Sequence, residues 1–193
     1  HQIKDAIQHY TAQGAMGRLL DADTDDLTLS PFMVFEIEEL MSLGDKNLIP
    51  VLTYLFHRIE TSLDGTPTIL VLDEAWIMLG HPIFREKIRE WLKVMRKANC
   101  AVILATQSLS DAKNSGILDV LAESCPTKIF LPNITAAQEA QRELYVGMGL
   151  NETQINIIAR ATPKRDYYVV SPLGRRQVQL ALGPKTLAFV GSS

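Results

Sequence analysis

The stretch Thr68-Ile-Leu-Val-Leu-Asp-Glu74 decides the fold class. An apolar run leads without interruption into two adjacent acids. A continuous apolar run of this length is typical of a parallel strand that is covered on both faces. A second such run, Ala101–Ala105, ends in the polar triplet Thr106-Gln107-Ser108. Because α/β sheets place their chemistry just beyond the carboxyl ends of the strands, these two endings are the first candidates for a site.

Helical periodicity lies on both sides of the first run. Apolar residues recur at intervals of three and four between Asp45 and Leu63, which predicts one long amphipathic helix. A similar pattern follows Pro82 and fills the space between the two runs. Its apolar positions are Phe84, Ile88, Trp91, Leu92 and Met95. The two apolar runs are therefore connected by a helix, as parallel strands require.

The remaining elements complete the prediction of an α/β fold with a mostly parallel sheet flanked by helices. A third short strand is predicted at 128–131, and an earlier one at 32–37, entered through Pro31. Residues 166–170 and 177–182 predict a C-terminal antiparallel hairpin across Gly174. A chain of 193 residues can bury one sizeable core, so we expect a single domain over 1–193.

Asp73 and Glu74 form the Walker B arrangement, a pair of carboxylates at the end of a buried strand. Asp73 can orient Mg²⁺ or its water shell, because Mg²⁺ prefers oxygen ligands and keeps several waters. Glu74 points to the other side of the chain and can polarise a water that attacks a γ-phosphate. The alternative is that the two acids only cap the next helix, whose N-terminus favours negative charge.

Gln107 ends the second run at a position that is adjacent to Asp73 if the two strands are neighbours. Its amide can hydrogen-bond both an attacking water and a γ-phosphate oxygen, and so can report whether that phosphate is present. The alternative is turn chemistry before the following helix, which polar residues also supply.

The helix between the two runs carries six basic residues and two acidic ones. They are Arg85, Lys87, Arg89, Lys93, Arg96 and Lys97, with Glu86 and Glu90. A solvated face explains such a pattern. The alternative is that Arg96 or Lys97 reaches a nucleotide held by a neighbouring subunit and acts as an arginine finger. Lys128 is a weaker candidate for the same task.

Bulk composition excludes several other classes of function. The net charge of −3 gives no global attraction to nucleic acid. The charge alone leaves a nucleic-acid contact open. Cys100 and Cys125 belong to no CxxC pair, which argues against zinc and favours reduced, buried thiols. The four histidines have no metal-ligand spacing, and no apolar run approaches the ~18 residues that span a bilayer.

A phosphate-binding loop of the form GxxxxGK[ST] does not occur in the sequence. Gly183-Pro-Lys-Thr186 is superficially similar, but Val178 stands where the leading glycine belongs. Without the loop, no cradle of backbone amides holds the β- and γ-phosphates. We therefore expect the chain to be a piece of a longer polypeptide and to bind nucleotide poorly by itself.

Five segments in order give the chain a family resemblance that no single motif provides. They are 53–60, 69–76, 91–97, 105–108 and Cys125-Pro-Thr-Lys-Ile-Phe-Leu-Pro-Asn133. Over roughly residues 18 to 190 the chain resembles the TrbE/CagE-type ATPases, the fourth member of the VirB set in type IV secretion systems.

This resemblance implies a RecA-like P-loop NTPase core, ATP and Mg²⁺ as cofactors, and a hexameric motor that powers pilus assembly and substrate transfer. It places the motor in the bacterial cytoplasm at the inner membrane, with other type IV secretion subunits as partners. By position, Asp73 and Glu74 match the family's Walker B acids, and Gln107 matches its strand-end glutamine. Arg96 and Lys97 match a basic motif near the nucleotide.

Two other functions stay open on the sequence. One is a DNA-translocating coupling ATPase with the same core, which the acidic balance disfavours. The other is a non-catalytic docking module of the secretion machine that has lost its phosphate loop. The presence of Asp73, Glu74 and Gln107 together argues against such a loss.

Overall fold

The computed structural model describes most of the chain, which falls into two compact units, residues 1–66 and 67–193. The described residues are 4, 7–21, 24, 30–37, 40, 42, 44–73 and 75–190. The expectation of a single domain over 1–193 stays a prediction.

The first unit contains the long amphipathic helix that the sequence predicts. Helix α1 spans Gly17–Leu20, and helix α2 spans Asp45–Ser62. The buried face of α2 consists of Leu48, Leu52, Leu55 and Phe56. Their spacing of three and four is that of one helical face, so the apolar periodicity is confirmed as the cause of this helix.

The strand predicted at 32–37 is wrong. Residues 33–37 have no regular structure, and Phe32 and Val34 are 82% and 75% exposed. An apolar stretch becomes a strand only when a partner takes up its backbone hydrogen bonds. No strand in the described part of the chain pairs with it.

The second unit alternates strands and helices, followed by a hairpin and a final helix. In chain order its elements are β1 (Thr68–Leu72), α3 (Trp76–Leu79), α4 (Pro82–Val94), a 3₁₀ helix (Met95–Ala98), β2 (Cys100–Leu104), α5 (Leu109–Asn114), α6 (Leu118–Ser124), β3 (Lys128–Phe130), α7 (Glu139–Gly147), α8 (Glu152–Arg160), β4 (Asp166–Ser171), β5 (Gly174–Gln179) and α9 (Pro184–Val190).

Strands β1 and β2 are parallel neighbours, as the sequence predicts. They pair in register from Thr68 opposite Cys100 to Leu72 opposite Leu104. The prediction that both faces are covered is wrong for the described residues. One face exposes Ile69 by 67%, Val71 by 59% and Ile103 by 51%. Successive strand residues alternate between faces, so these three side chains share the exposed face.

Helix α4 forms the predicted amphipathic connection between β1 and β2. Pro82 occupies its first turn, where the missing N–H costs nothing, and His81 Nδ1 accepts a hydrogen bond from the Ile83 amide at 3.3 Å. The buried positions are Phe84, Ile88 and Trp91, followed by Met95 of the 3₁₀ helix. Asn99 then turns the chain into β2 with a left-handed φ of 56°.

Strand β3 departs from the predicted parallel arrangement, because it pairs with β4 in an antiparallel sheet of order β3–β4–β5. The predicted C-terminal hairpin is confirmed, although its second strand begins earlier. Ser171 pairs directly with Gly174, so the turn is only Pro172-Leu173. Gly174 has a φ of 134°, a conformation that residues with a Cβ rarely adopt. The ring of Phe130 packs on Tyr145 of α7, with centroids 5.8 Å apart.

Candidate functional site

The carboxyl ends of β1 and β2 lie side by side and are joined by two backbone hydrogen bonds. The Ala105 amide donates to the Leu72 carbonyl at 2.9 Å, and the Ala75 amide donates to the Ala105 carbonyl at 3.1 Å. Asp73 therefore lies in a short segment that is fastened to β2 at both ends. This anchoring holds the acidic strand end next to the chain segment that carries Gln107.

Asp73 has an exposed side chain at this edge, whereas Glu74 lies outside the described residues. The following helix, α3, begins at Trp76. The position directly before it belongs to Ala75, whose side chain has no oxygen to cap a helix. Asp73 stands two residues further back, and the alternative that it caps this helix stays open.

The two neighbours of Gln107, Thr106 and Ser108, make the hydrogen bonds that form the turn around it. The Thr106 hydroxyl donates to the Ser108 carbonyl at 3.2 Å. The Ser108 hydroxyl accepts from the Ser110 amide at 3.1 Å and caps the N-terminus of α5. The exposed Gln107 side chain lies between them. The turn-chemistry explanation thus applies to Thr106 and Ser108.

Arg96 and Lys97 lie at the opposite end of the strand pair. Both are exposed on the 3₁₀ helix that leads into the start of β2. Arg96 lines a cleft of about 400 Å³ with Thr68 and Asn99, whose backbones are hydrogen-bonded at 3.1 Å. Five-residue strands separate the two ends by roughly 13 Å at the usual rise per residue. The chain does not bring Arg96 and Lys97 together with Asp73 and Gln107.

Two arginines of α4 have a role that the sequence did not indicate. Arg85 Nη1 donates to the Ser115 carbonyl at 2.8 Å, and Arg89 Nη2 donates to the Gly116 carbonyl at 2.9 Å. Arg89 also lies 3.7 Å from Glu86. The basic surface of α4 is thus partly engaged with protein. Carbonyl acceptors carry no residue identity, so no sequence signal could have revealed these bonds.

Lys128 is also engaged within the protein, because its Nζ donates to the Ala122 carbonyl at 2.9 Å near the end of α6. Burial raises the pKa of the Cys125 thiol, and the charge of Lys128 only partly offsets this effect. Burial likewise raises the pKa of the Cys100 thiol. Neither cysteine is in a disulfide; Cys100 is buried as predicted, whereas Cys125 is half-buried. The predicted reduced state stays a prediction.

Clusters of ligand side chains are the usual sign of metal-binding potential in the described residues. Within the described ranges, no group of three or more His, Cys, Asp or Glu side chains is placed to hold a metal ion. Asp73 still suits Mg²⁺, which commonly binds through one or two carboxylates, water and substrate phosphates.

None of the helices in the described residues is both long and apolar enough to cross a bilayer.

Comparison with known proteins assigns the family. The model of the TraG P-loop domain matches residues 2–171. The chain belongs to the TraG P-loop domain family. The predicted P-loop fold class is thereby confirmed. The described residues of this TraG P-loop domain form a parallel strand pair, helices and a C-terminal antiparallel sheet.

Relatives of this TraG P-loop domain confirm the resemblance to the TrbE and VirB proteins. The chain is 66% identical over 192 residues to the conjugal transfer protein TrbE of Rhizobium radiobacter, covering 100% of this chain and 23% of that protein. It is 35% identical over 154 residues to the type IV secretion system protein virB4 of Bartonella quintana, covering 79% of this chain and 19% of that protein. The chain thus spans less than a quarter of either relative.

A solved structure shows the same fold. The structure of VirB4 of Thermoanaerobacter pseudethanolicus superposes with a TM-score of 0.69 over 96% of this chain and 50% of that chain. Sequence identity is 20%, so this likeness concerns the fold.

Proposed function

We propose that this chain belongs to an ATP-hydrolysing motor that energises type IV secretion and conjugation, through pilus assembly and substrate transfer. The observation that carries the proposal is the in-register parallel pairing of β1 with β2, which puts Asp73 and the Gln107 segment at one edge. Family membership supports nucleotide use in general, and relatives named for conjugal transfer and type IV secretion support the setting.

Asp73, Glu74 and Gln107 each have a proposed role of their own. Asp73 would hold Mg²⁺, mainly through water, and the ion would supply positive charge for the β- and γ-phosphates of ATP. Glu74 accepts a proton from the attacking water. Gln107 orients that water and contacts the γ-phosphate. Anchoring at Leu72 and Ala75 fixes Asp73 before nucleotide arrives, so little reorganisation is needed.

The phosphate cradle is the one component that this sequence does not supply. We propose that it comes from another region of a longer polypeptide, in line with the 23% of the TrbE relative that the chain spans. Residues 1–193 would then form the C-terminal portion of a RecA-like ATPase domain. By itself this portion should hydrolyse no ATP, because backbone amides of the cradle are required to hold the phosphates.

Arg96 and Lys97 fit a role between subunits. They lie at the far end of the strands from Asp73, so within one chain they cannot stabilise phosphates bound near Asp73. A ring of copies, proposed here as a hexamer, can place the basic end of one subunit against the nucleotide of the next. We place this assembly in the bacterial cytoplasm, peripheral to the inner membrane, with other secretion subunits as partners.

Replacement of Glu74 tests the proposal in the full-length protein. Glu74→Gln removes the proton acceptor but preserves size, so hydrolysis should fall by about 10²-fold or more while nucleotide binding persists. Glu123→Gln, an exposed acid on α6, is the matched control and should leave hydrolysis unchanged. Phosphate release and the affinity for a fluorescent ATP analogue are the two readouts. Unchanged turnover in Glu74→Gln would remove this residue from the role of base.

A further inference from the structure

The two strand ends of the proposed site continue into helices that contact each other. The chain passes from Asp73 into α3 and then α4, and from Gln107 into α5. Helix α3 contacts both α4 and α5. The position of Gln107 relative to Asp73 therefore depends on the backbone bonds of Ala105 and, beyond them, on how α5 is held against the helices that follow Asp73.

Two arginine side chains hold α5 by hydrogen bonds at its C-terminal end. Arg85 and Arg89 are one helical turn apart on α4, so both guanidinium groups lie on the same face. They donate to the carbonyls of Ser115 and Gly116, at 2.8 and 2.9 Å, where α5 ends. Ser115 is the C-cap of α5, where carbonyls have no partner within the helix and carry partial negative charge, so a cation is well placed there; Gly116 follows it.

Three residues around the C-terminal end of α5 are buried, which strengthens its attachment to α4. Ser115 is 9% exposed, and Ala112 and Ile117 on either side of it are fully buried. The Ser115 hydroxyl donates to the Ala112 carbonyl at 2.9 Å, so the end of α5 is bonded internally as well. Helix α5 has six residues and is about 9 Å long, too short to bend appreciably. A shift at Ser115 is therefore transmitted to Gln107.

We propose that Arg85 and Arg89 are positioning residues that hold Gln107 at the catalytic edge through α5. The positioning role rests on the proposed ATPase function, whereas the hydrogen bonds from the two arginines to the end of α5 do not. Neither arginine needs to touch nucleotide. Loss of their bonds lets α5 shift, and Gln107 then loses its alignment with the γ-phosphate and the attacking water.

Hydrogen exchange tests whether the two arginines hold α5, independently of activity. The variant Arg85→Met/Arg89→Met, in the full-length protein, keeps an unbranched apolar stem at each position and removes both donors. Backbone amides of residues 106–114 should exchange faster than in the wild type, because local opening becomes easier. The matched control is Arg175→Met, which removes an arginine bond to Gln154 Oε1 of 3.1 Å elsewhere in the same unit. Equal exchange in 106–114 for both variants would overturn the proposal.

A double-mutant cycle with Gln107→Ala tests the catalytic consequence. The arginine double variant should lower kcat about tenfold or more with little change in KM, since misplacement by ~1 Å can cost 10²-fold. In the Gln107→Ala background the same substitutions should lower kcat no further. The conservative variant Arg85→Lys/Arg89→Lys should retain more of kcat than the methionine variant, because lysine keeps a charged donor.

The outcomes separate this inference from the function on which it rests. A wild-type protein that hydrolyses no ATP refutes the proposed function. Amide hydrogen exchange in residues 106–114 still decides whether Arg85 and Arg89 hold α5 in place. Equal fold-losses of kcat with and without Gln107 would show general destabilisation and refute the positioning role.

Discussion

Helix α4 offers a comparison of two isoleucines that differ only in their surroundings. Ile88 is fully buried, whereas Ile83, five residues earlier on the same helix, is 52% exposed. Truncation of each to alanine removes the same atoms. The difference in unfolding free energy therefore measures what the buried face of α4 contributes to the second unit.

The cost at Ile88 follows from the atoms removed. Three buried carbons at ~0.8 kcal/mol each amount to about 2.4 kcal/mol of lost transfer free energy. A cavity that relaxes incompletely adds to this, so the total falls at about 3 kcal/mol within the range of ~2–5 kcal/mol for such truncations. Ile83→Ala should cost no more than about 0.5 kcal/mol, because its side chain already meets water.

Urea denaturation followed by tryptophan fluorescence measures both variants. The chain has two tryptophans, at 76 and 91, so the signal reports on the second unit alone. With a denaturant slope of about 2 kcal/mol per M, Ile88→Ala should lower the midpoint by about 1.5 M and Ile83→Ala by less than about 0.3 M. Equal midpoints for the two variants would refute the assignment of the buried face of α4.

Two further outcomes concern the C-terminal region of the chain. The Thr162 amide, which donates to Asp166 Oδ2 at 2.8 Å, holds the pKa of that carboxyl below its usual 3.8. Stability from this bond is present above pH 3.8 and is lost as the pH falls through the lower folded-state pKa. The urea midpoints of wild type and Asp166→Asn should therefore differ at pH 7 and converge once the pH falls below that folded-state pKa. Arg142 Nε donates to Glu152 at 2.7 Å, but both side chains are about half exposed, so Arg142→Gln should change the unfolding free energy by less than ~1 kcal/mol, and less still in about 1 M salt.

The strands and helices of the second unit were largely readable from the sequence, because each carries a local pattern. The run before Asp73 and the run before Gln107 became β1 and β2, and helix α8 spans Glu152–Arg160. A capping box at Asn151 and Gln154 fixes the start of that helix from within four residues. Local chemistry of this kind is visible in sequence alone.

Pairing partners were harder to predict, because they depend on residues far apart in the chain. Strand β3 looks like a third parallel strand by its position after α6, yet its partner β4 begins at Asp166. Residues 32–37 have the apolar composition of a strand but no partner among the described residues. Composition tells which segments can pair, whereas register and partner are decided by tertiary packing.

The candidate site was predictable where it depends on strand ends and not where it depends on long-range contacts. The ends of β1 and β2, which lead to Asp73 and Gln107, lie side by side because the two strands are parallel neighbours. The sequence indicated this arrangement. The bonds of Arg85 and Arg89 join positions 30 and 27 residues apart and end on carbonyls. Their existence follows only from how α4 packs beside the end of α5.

The exposed face of the β1–β2 pair is expected to make self-association of the chain depend on temperature and salt. Ile69, Val71 and Ile103 present apolar surface to water, and such surface is attracted to any other apolar surface it meets. This attraction weakens on cooling and strengthens with excluded salts such as sulfate. Warming or ammonium sulfate will therefore drive copies of the chain together, and cold, low-salt buffer will keep them dispersed.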